Sequence, residues 1–170
     1  MAAQPSNKPL CETRSLSLGD IMPLLREQLA CGRSVEFSPH GVSMLPMLRE
    51  GRDSVILSAV SGRLKKYDIP LYQRADGAYV LHRIVRVEKD SYTCIGDNQF
   101  VYEQGVTDAQ IIAVLTAYRK DGKYKSINTL AYRFYCRMRQ ASRPLRHFIY
   151  RAKRKCKRIF RRLFLRKNKE

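Results

Sequence analysis

Charge is divided unequally along this chain, and that division limits what the chain can fold into. Residues 122–170 hold 18 lysines and arginines against one acidic residue, Glu170. Residues 1–121 hold 15 basic and 14 acidic residues and are nearly neutral. So many positive charges in one segment repel one another and attract anionic partners, whereas a neutral segment of ordinary composition can bury a core. The sequence therefore predicts one domain followed by a cationic arm.

Cysteine usage and hydropathy indicate the compartment. The five cysteines are scattered and form no C-x-x-C pair, so they predict neither a zinc site nor a redox motif. Free thiols suit a reducing compartment. The polar N-terminus is unlike a signal peptide, and no run of about 18 apolar residues predicts a membrane-spanning helix. We expect a cytoplasmic protein without a metal ion or cofactor.

Apolar periodicity divides the chain into three parts. Residues 1–33 contain one short helix within Ser15–Leu29, with Ser17 or Asp20 as its cap and a start near Asp20. Residues 34–121 have short apolar stretches between turn residues, typical of a mostly antiparallel β domain. Residues 122–170 switch to a helical period. The predicted strands are Ser34–Phe37, Ser54–Val60, Ile69–Tyr72, Tyr79–Val87, Ser91–Ile95 and Gln110–Tyr118.

A candidate nucleophile lies in the segment Gly41-Val42-Ser43-Met44, with Pro46 close behind. Glycine permits a tight turn that exposes a hydroxyl and lets a peptide approach closely. Backbone N–H groups at such a turn can hold an oxyanion. Taken alone, the segment is also compatible with an ordinary structural turn.

A candidate general base lies within the predicted strand Tyr79–Val87. His82 shares a face with Val80 and Ile84, because side chains alternate along a strand. The ring is either a hydrogen-bonded core residue or a desolvated, neutral imidazole able to accept a proton. The following Gly96-Asp97-Asn98 sequence is typical of a turn and, alone, indicates only a loop held by polar side chains.

Together, these motifs resemble those of the superfamily of signal peptidase I and the LexA-type self-cleaving repressors. The superfamily has a Gly-x-Ser-Met turn, an acidic box before a strand (here Glu50–Val55), a base box and a Gly-Asp-Asn box, in this order. The base box here is His82-Arg83, as in archaeal, endoplasmic-reticulum and sporulation-type signal peptidases. The resemblance spans Phe37 to Arg119 and implies a mainly β, LexA/signal-peptidase-like domain with a short N-terminal helix and a basic α-helical C-terminal arm.

The resemblance also implies a serine endopeptidase without a metal ion or cofactor. Ser43 would be the nucleophile, His82 the general base and Asp97 the candidate for orienting the imidazole. The Ser43 backbone N–H would hold the oxyanion, and the substrate would bind as an added β-strand. The residues implied for the oxyanion and substrate-binding site are Gly41, Val42, Met44 and Pro46.

The cationic arm carries two apolar stripes at helical spacing, separated by Pro144. The first consists of Ile127, Leu130, Ala131, Phe134, Tyr135 and Met138. The second stripe lies opposite a basic face, a pattern typical of helices in a membrane interface. The alternatives are that the arm binds nucleic acid or an acidic partner, or that it packs on the domain. The predicted anion-binding residues are Arg151, Lys153, Arg154, Lys155, Lys157, Arg158, Arg161 and Arg162.

These observations favour an endopeptidase that cleaves a peptide or protein precursor, peripherally attached at the inner face of an anionic membrane. The alternative is a catalytically inactive peptidase-fold module whose basic arm binds nucleic acid or an acidic partner.

Overall fold

The structure is a computed structural model that describes residues 18–167, with side chains as far as Arg158 and at Phe160. It is mixed α/β and mainly β, with two antiparallel sheets, an N-terminal helix and two C-terminal helices. The elements in chain order are α1 (Leu18–Ala30), β1 (Val35–Phe37), β2 (Ser54–Ser58), β3 (Pro70–Gln73), β4 (Tyr79–Leu81), β5 (Arg83–Val87), β6 (Tyr92–Ile95), β7 (Glu103–Val106), β8 (Ile111–Lys120), β9 (Lys123–Ser126), α2 (Leu130–Ala141) and α3 (Arg143–Lys167).

The larger sheet is organised around β8. Its strand order is β1-β2-β8-β3-β4, and β9 also pairs with β8. Alternate residues of β8 are buried, as expected for a strand that covers a core with one face. These residues are Ala113, Leu115 and Ala117, of which the first two pair with Leu71 and Leu57 on the neighbouring strands. β4 forms an edge of this sheet.

The smaller sheet has the order β5-β6-β7. The prediction of one continuous strand over Tyr79–Val87 was wrong, because the chain leaves the larger sheet after Leu81 and enters the smaller sheet at Arg83. His82 is the residue between them. The predicted hairpin with the next strand is confirmed as the antiparallel pair β5 and β6. β7 and β9 were not predicted.

One core crosses the predicted segment boundaries at 33/34 and 121/122. Helix α1 contributes Met22, Leu25 and Leu29 to it, and α2 contributes Tyr132 and Cys136. The second boundary also falls inside the β8–β9 hairpin. The cationic arm as predicted therefore begins too early, since its first part completes the domain. The helix already includes Leu18, two residues before the predicted start near Asp20.

Helix α2 buries a different face from the predicted one. Leu130, Phe134 and Met138 are 82%, 66% and 52% exposed, whereas Tyr132 and Cys136 are buried. The buried pair points polar tips at the guanidinium of Arg83, a contact that apolar periodicity cannot reveal. The stripe of Leu130, Phe134 and Met138, together with its continuation on α3, is thus left on the surface.

Helix α3 follows α2 after Ser142, with Pro144 in its first turn, where proline fits. Its start rests on the loop after β6, where Phe100 stacks on His147 with ring centroids 4.7 Å apart. Beyond Tyr150 the described side chains are exposed. Across residues 18–167, no helix contains an apolar stretch of the length needed to cross a bilayer.

Replacing Tyr132 with phenylalanine tests whether α2 belongs to the folded domain. The variant loses the 2.8 Å hydrogen bond between the Tyr132 hydroxyl and the buried guanidinium of Arg83. We expect the free energy of unfolding to fall by about 1.5–3 kcal/mol, the usual value for a bond to a charged group. Denaturant unfolding measures it, with the exposed Tyr124→Phe as the matched control. Equal stability of the two variants would contradict the placement of α2.

Candidate active site

The turn at residues 41–47, called here the serine turn, presents Ser43 at the surface of the domain. Gly41 has a φ of +91°, a left-handed conformation that favours glycine. Ser43 is half-buried, while Met44 and Met47 anchor the turn in the core. The serine therefore sits on a fixed backbone with its side chain within reach of solvent.

The Gly-Asp-Asn box holds the serine turn in place. The backbone N–H of Asn98 donates to the carbonyl oxygen of Ser43 at 2.7 Å, and its side-chain amide donates to the carbonyl of Val42 at 3.2 Å. A Cβ added at Gly96 would lie 2.7 Å from the same Ser43 oxygen. Only glycine therefore allows this close approach, and the box acts as a clamp on the serine backbone.

Asp97 does not orient His82, so the role predicted for it is corrected. Its carboxylate accepts two hydrogen bonds from the Arg83 guanidinium, at 2.9 and 2.8 Å, and a third from the Tyr135 hydroxyl at 3.0 Å. Both members of the ion pair are fully buried. Burial alone would lower the pKa of Arg83, but the hydrogen bonds and charge of Asp97 raise it above its ordinary value.

The remaining donors of Arg83 connect the parts of the site. The guanidinium donates to the Tyr132 hydroxyl at 2.8 Å, to the Cys136 sulfur at 2.9 Å and to the Tyr67 carbonyl at 3.3 Å. It also lies 3.1 Å from the sulfur of Met47, in the serine turn. The residue after His82 is thus fixed to the serine turn, to the Gly-Asp-Asn box and to α2.

Glu103 holds the ring of His82. The imidazole is 2% exposed, and its Nδ1 lies 2.9 Å from a carboxylate oxygen of Glu103 on β7. The Tyr72 hydroxyl lies 3.4 Å from the same nitrogen. Because a carboxylate only accepts hydrogen bonds, this contact favours the tautomer with the proton on Nδ1 and the lone pair on Nε2. The orienting acid of this constellation is therefore Glu103, which the sequence analysis did not identify.

The charge of Glu103 is stabilised by its neighbours. Arg74 donates to both of its carboxylate oxygens, and Tyr72 donates to one of them at 2.6 Å. Burial alone would raise the pKa of Glu103, but these hydrogen bonds and nearby charges outweigh it and lower the pKa. Glu103 is therefore ionised at neutral pH and able to stabilise an imidazolium.

His82 is neutral at pH 7. Burial lowers its pKa below the ordinary value of 6.5, and the positive charge of Arg74 acts in the same direction. The negative charge of Glu103 acts against this shift by raising the pKa of His82. The charge of Asp97 acts in the same direction as Glu103 but has the smallest effect. A neutral ring with a free Nε2 is the form that a general base requires.

Ser43 and His82 line one cavity of about 750 Å³. The residues of β4, Tyr79–Leu81, form one of its walls, and Gly41 and Met44 also line it. Among the residues that the structure describes, no hydrogen bond joins the Ser43 hydroxyl to the His82 ring. The two side chains thus share one cavity without a hydrogen bond between them.

The other predicted residues are distributed more widely. Val42 is 61% exposed outside the lining of this cavity, and Pro46 accepts a hydrogen bond from Lys120 through its carbonyl. The side chains of Arg161 and Arg162 lie outside the described residues. Within residues 18–167, no group of three or more His, Cys, Asp or Glu side chains is placed to hold a metal ion. The predicted basic residues with exposed positions on α3 are Arg151, Lys153, Arg154, Lys155, Lys157 and Arg158.

Comparison with known proteins adds no assignment: no protein-family model and no curated protein matches this chain.

Titration of the His82 ring tests the role of Glu103. We expect NMR to give a pKa below 6.5 in the native protein and a lower value in Glu103→Gln, because that variant removes the nearest negative charge and leaves Arg74. Asp90→Asn, which removes an exposed carboxylate elsewhere on the domain, serves as the control, and no comparable change is expected there. A shift in Asp90→Asn as large as that in Glu103→Gln would contradict the assignment.

Proposed function

We propose that this protein is a serine endopeptidase of the signal-peptidase/LexA-like kind, which cleaves a peptide or protein precursor. The proposal rests on one arrangement. Ser43 and His82 line a common cavity, and an ionised carboxylate, Glu103, contacts the Nδ1 nitrogen of the imidazole. A nucleophile, a base and an orienting acid in this relation are the parts of a catalytic triad.

In the proposed reaction the substrate pairs with the free edge of β4 as an added strand, which brings its carbonyl carbon to Ser43. The Ser43 Oγ attacks that carbon while His82 Nε2 accepts the hydroxyl proton. Glu103 stabilises the imidazolium, and the backbone N–H of Ser43 donates to the developing oxyanion. The imidazolium then protonates the leaving amine, and a water molecule hydrolyses the acyl-enzyme by the reverse path.

The alternative, a catalytically inactive binding module, accounts less well for the surroundings of His82. A ring buried to 2% exposure loses most of its hydration, and the charged carboxylate of Glu103 beside it is only 19% exposed. Such burial costs free energy and persists where a perturbed group has a use. A module that acted only through its basic helix would not need this arrangement.

Covalent labelling of Ser43 tests the proposal. A fluorophosphonate should phosphonylate the Ser43 Oγ with loss of fluoride, so the native chain gains the mass of the reagent less that of HF in intact-protein mass spectrometry, and Ser43→Ala does not. Ser61→Ala, which removes an exposed hydroxyl elsewhere, is the matched control and should be labelled like the native chain. Equal labelling of Ser43→Ala and native protein would exclude Ser43 as the nucleophile.

The proposal includes peripheral attachment to an anionic membrane at its inner face. The supporting observation is a set of exposed apolar side chains beside basic ones, as in helices that lie in a membrane interface. These apolar side chains are Leu130, Phe134 and Met138 on α2 and Leu145, Phe148 and Ile149 on α3. Nucleic acid would need the charges but not the apolar side chains.

Flotation with vesicles tests this attachment. The native protein should float with phosphatidylglycerol-containing vesicles and not with pure phosphatidylcholine vesicles, because both charge and apolar contact contribute. Phe134→Ser with Phe148→Ser should bind the vesicles about 10²-fold or more weakly, since each phenylalanine is worth about 1.5–3 kcal/mol when buried. Tyr124→Ser, an exposed aromatic on β9, is the control. Failure of the native protein to float would remove the membrane from the proposal.

A further inference from the structure

A second cavity, of about 1320 Å³, adjoins the catalytic cavity. It lies between the loop and strand at residues 98–106 and the first half of α3. Arg74 and Gln99 line both cavities, so the two are neighbours with a shared wall. The contacts of Phe100 with His147 and with Tyr150, at centroid distances of 4.7 and 5.2 Å, hold α3 against this loop. The basic helix is thus one wall of a space that adjoins the cavity of Ser43.

The lining of this second cavity is strongly cationic. Its basic side chains are Arg74, Arg139, Arg146, Lys153 and Arg154, against one carboxylate, Glu103. That carboxylate already pairs with Arg74 and contacts His82. Within the described part of the chain, no free acidic side chain therefore balances the remaining positive charges of the lining.

The excess of positive charge is felt by Arg139 and Arg146, which line the end of the cavity nearest α2. Burial lowers the pKa of Arg146, and the neighbouring Arg139 and Arg143 lower it further by repulsion. The guanidinium of Arg146 donates to the backbone carbonyls of Asp97 and Arg139, at 3.1 and 2.6 Å. Arg139 likewise donates to a backbone carbonyl, that of Leu45, at 2.9 Å. Because these partners are neutral, the positive charge of the two arginines is left for an anionic ligand.

Shape distinguishes among anionic ligands. The second cavity alone exceeds the range of about 300–1,000 Å³ typical of small-molecule sites, so a lone phosphate would fill little of it. Phe100, Ile149 and Tyr150 add apolar surface to the lining, which suits a polypeptide segment with carboxylates.

We infer that this second cavity binds an acidic segment of the substrate, next to the segment that lies across Ser43. The inference rests on the proposed endopeptidase function and assigns it a substrate class: precursors with aspartates or glutamates beside the cleavage site. Helix α3 then has a role in substrate selection, because Lys153 and Arg154 belong to the lining.

Peptide binding to the full chain carrying Ser43→Ala tests the inference without requiring catalysis. The probes are fluorescent oligo-glutamate and oligo-glutamine peptides of equal length, followed by anisotropy at physiological salt. We expect the glutamate probe to bind about tenfold more tightly than the glutamine probe, as charge-assisted hydrogen bonds would give. Adding Lys153→Gln with Arg154→Gln should weaken glutamate binding severalfold.

The matched control is Lys123→Gln with Lys125→Gln, which removes the same charge from exposed positions on β9. Unchanged glutamate binding in this control supports a local site, whereas an equal loss in both double variants would show attraction by net charge alone and overturn the inference. Equal binding of the glutamate and glutamine probes would also overturn the inference. So would a Lys153→Gln and Arg154→Gln double variant that loses binding to phosphatidylglycerol vesicles but keeps binding to the glutamate peptide. If the glutamate probe binds as expected and Ser43 resists labelling, the endopeptidase function alone fails.

Discussion

The buried ion pair between Arg83 and Asp97 is the interaction on which the candidate site depends. Asp97 stands between Gly96 and Asn98, which contact the backbone of Ser43, and Arg83 directly follows His82. The pair therefore joins the backbone that carries the hydroxyl to the backbone that carries the imidazole. Removing one partner of a buried pair typically costs about 3–5 kcal/mol, because the other charge stays buried and unpaired. Helix α2 closes over the pair, which explains why the first part of the basic segment belongs to the domain.

The two carboxylates of this site thus have different roles. Asp97 has a structural role, because its carboxylate is hydrogen-bonded to Arg83 and Tyr135. Glu103 contacts Nδ1 of His82, and the hydrogen bonds from Arg74 keep the Glu103 carboxylate ionised. The imidazole lies where the chain passes from one sheet to the other, so its backbone is fixed on both sides by strand pairing. This arrangement yields a neutral, oriented imidazole in the same cavity as a half-exposed serine.

Most strands and the positions of Ser43 and His82 could be predicted, because alternation, turn residues and motif spacing are local signals. Glu103 could not, since it lies on a short strand without clear alternation and meets His82 only through sheet pairing. A glutamate soon after the Gly-Asp-Asn box was the one available signal. The buried face of α2 was missed for a related reason. Tyr132 and Cys136 are buried by contacts with Arg83, a residue distant in sequence, whereas Leu130 and Phe134 follow the apolar period and remain exposed.

The central claim is that Ser43 is activated through His82 and Glu103. The most direct measurement is the rate at which an activated peptide ester acylates Ser43, followed by intact mass on the folded fraction of native protein and of Glu103→Gln. Loss of the orienting carboxylate should slow acylation by about 10²-fold or more, by comparison with the roughly 10⁴-fold effect of the corresponding change in a serine protease triad. Acylation of Glu103→Gln at the native rate would contradict the claim.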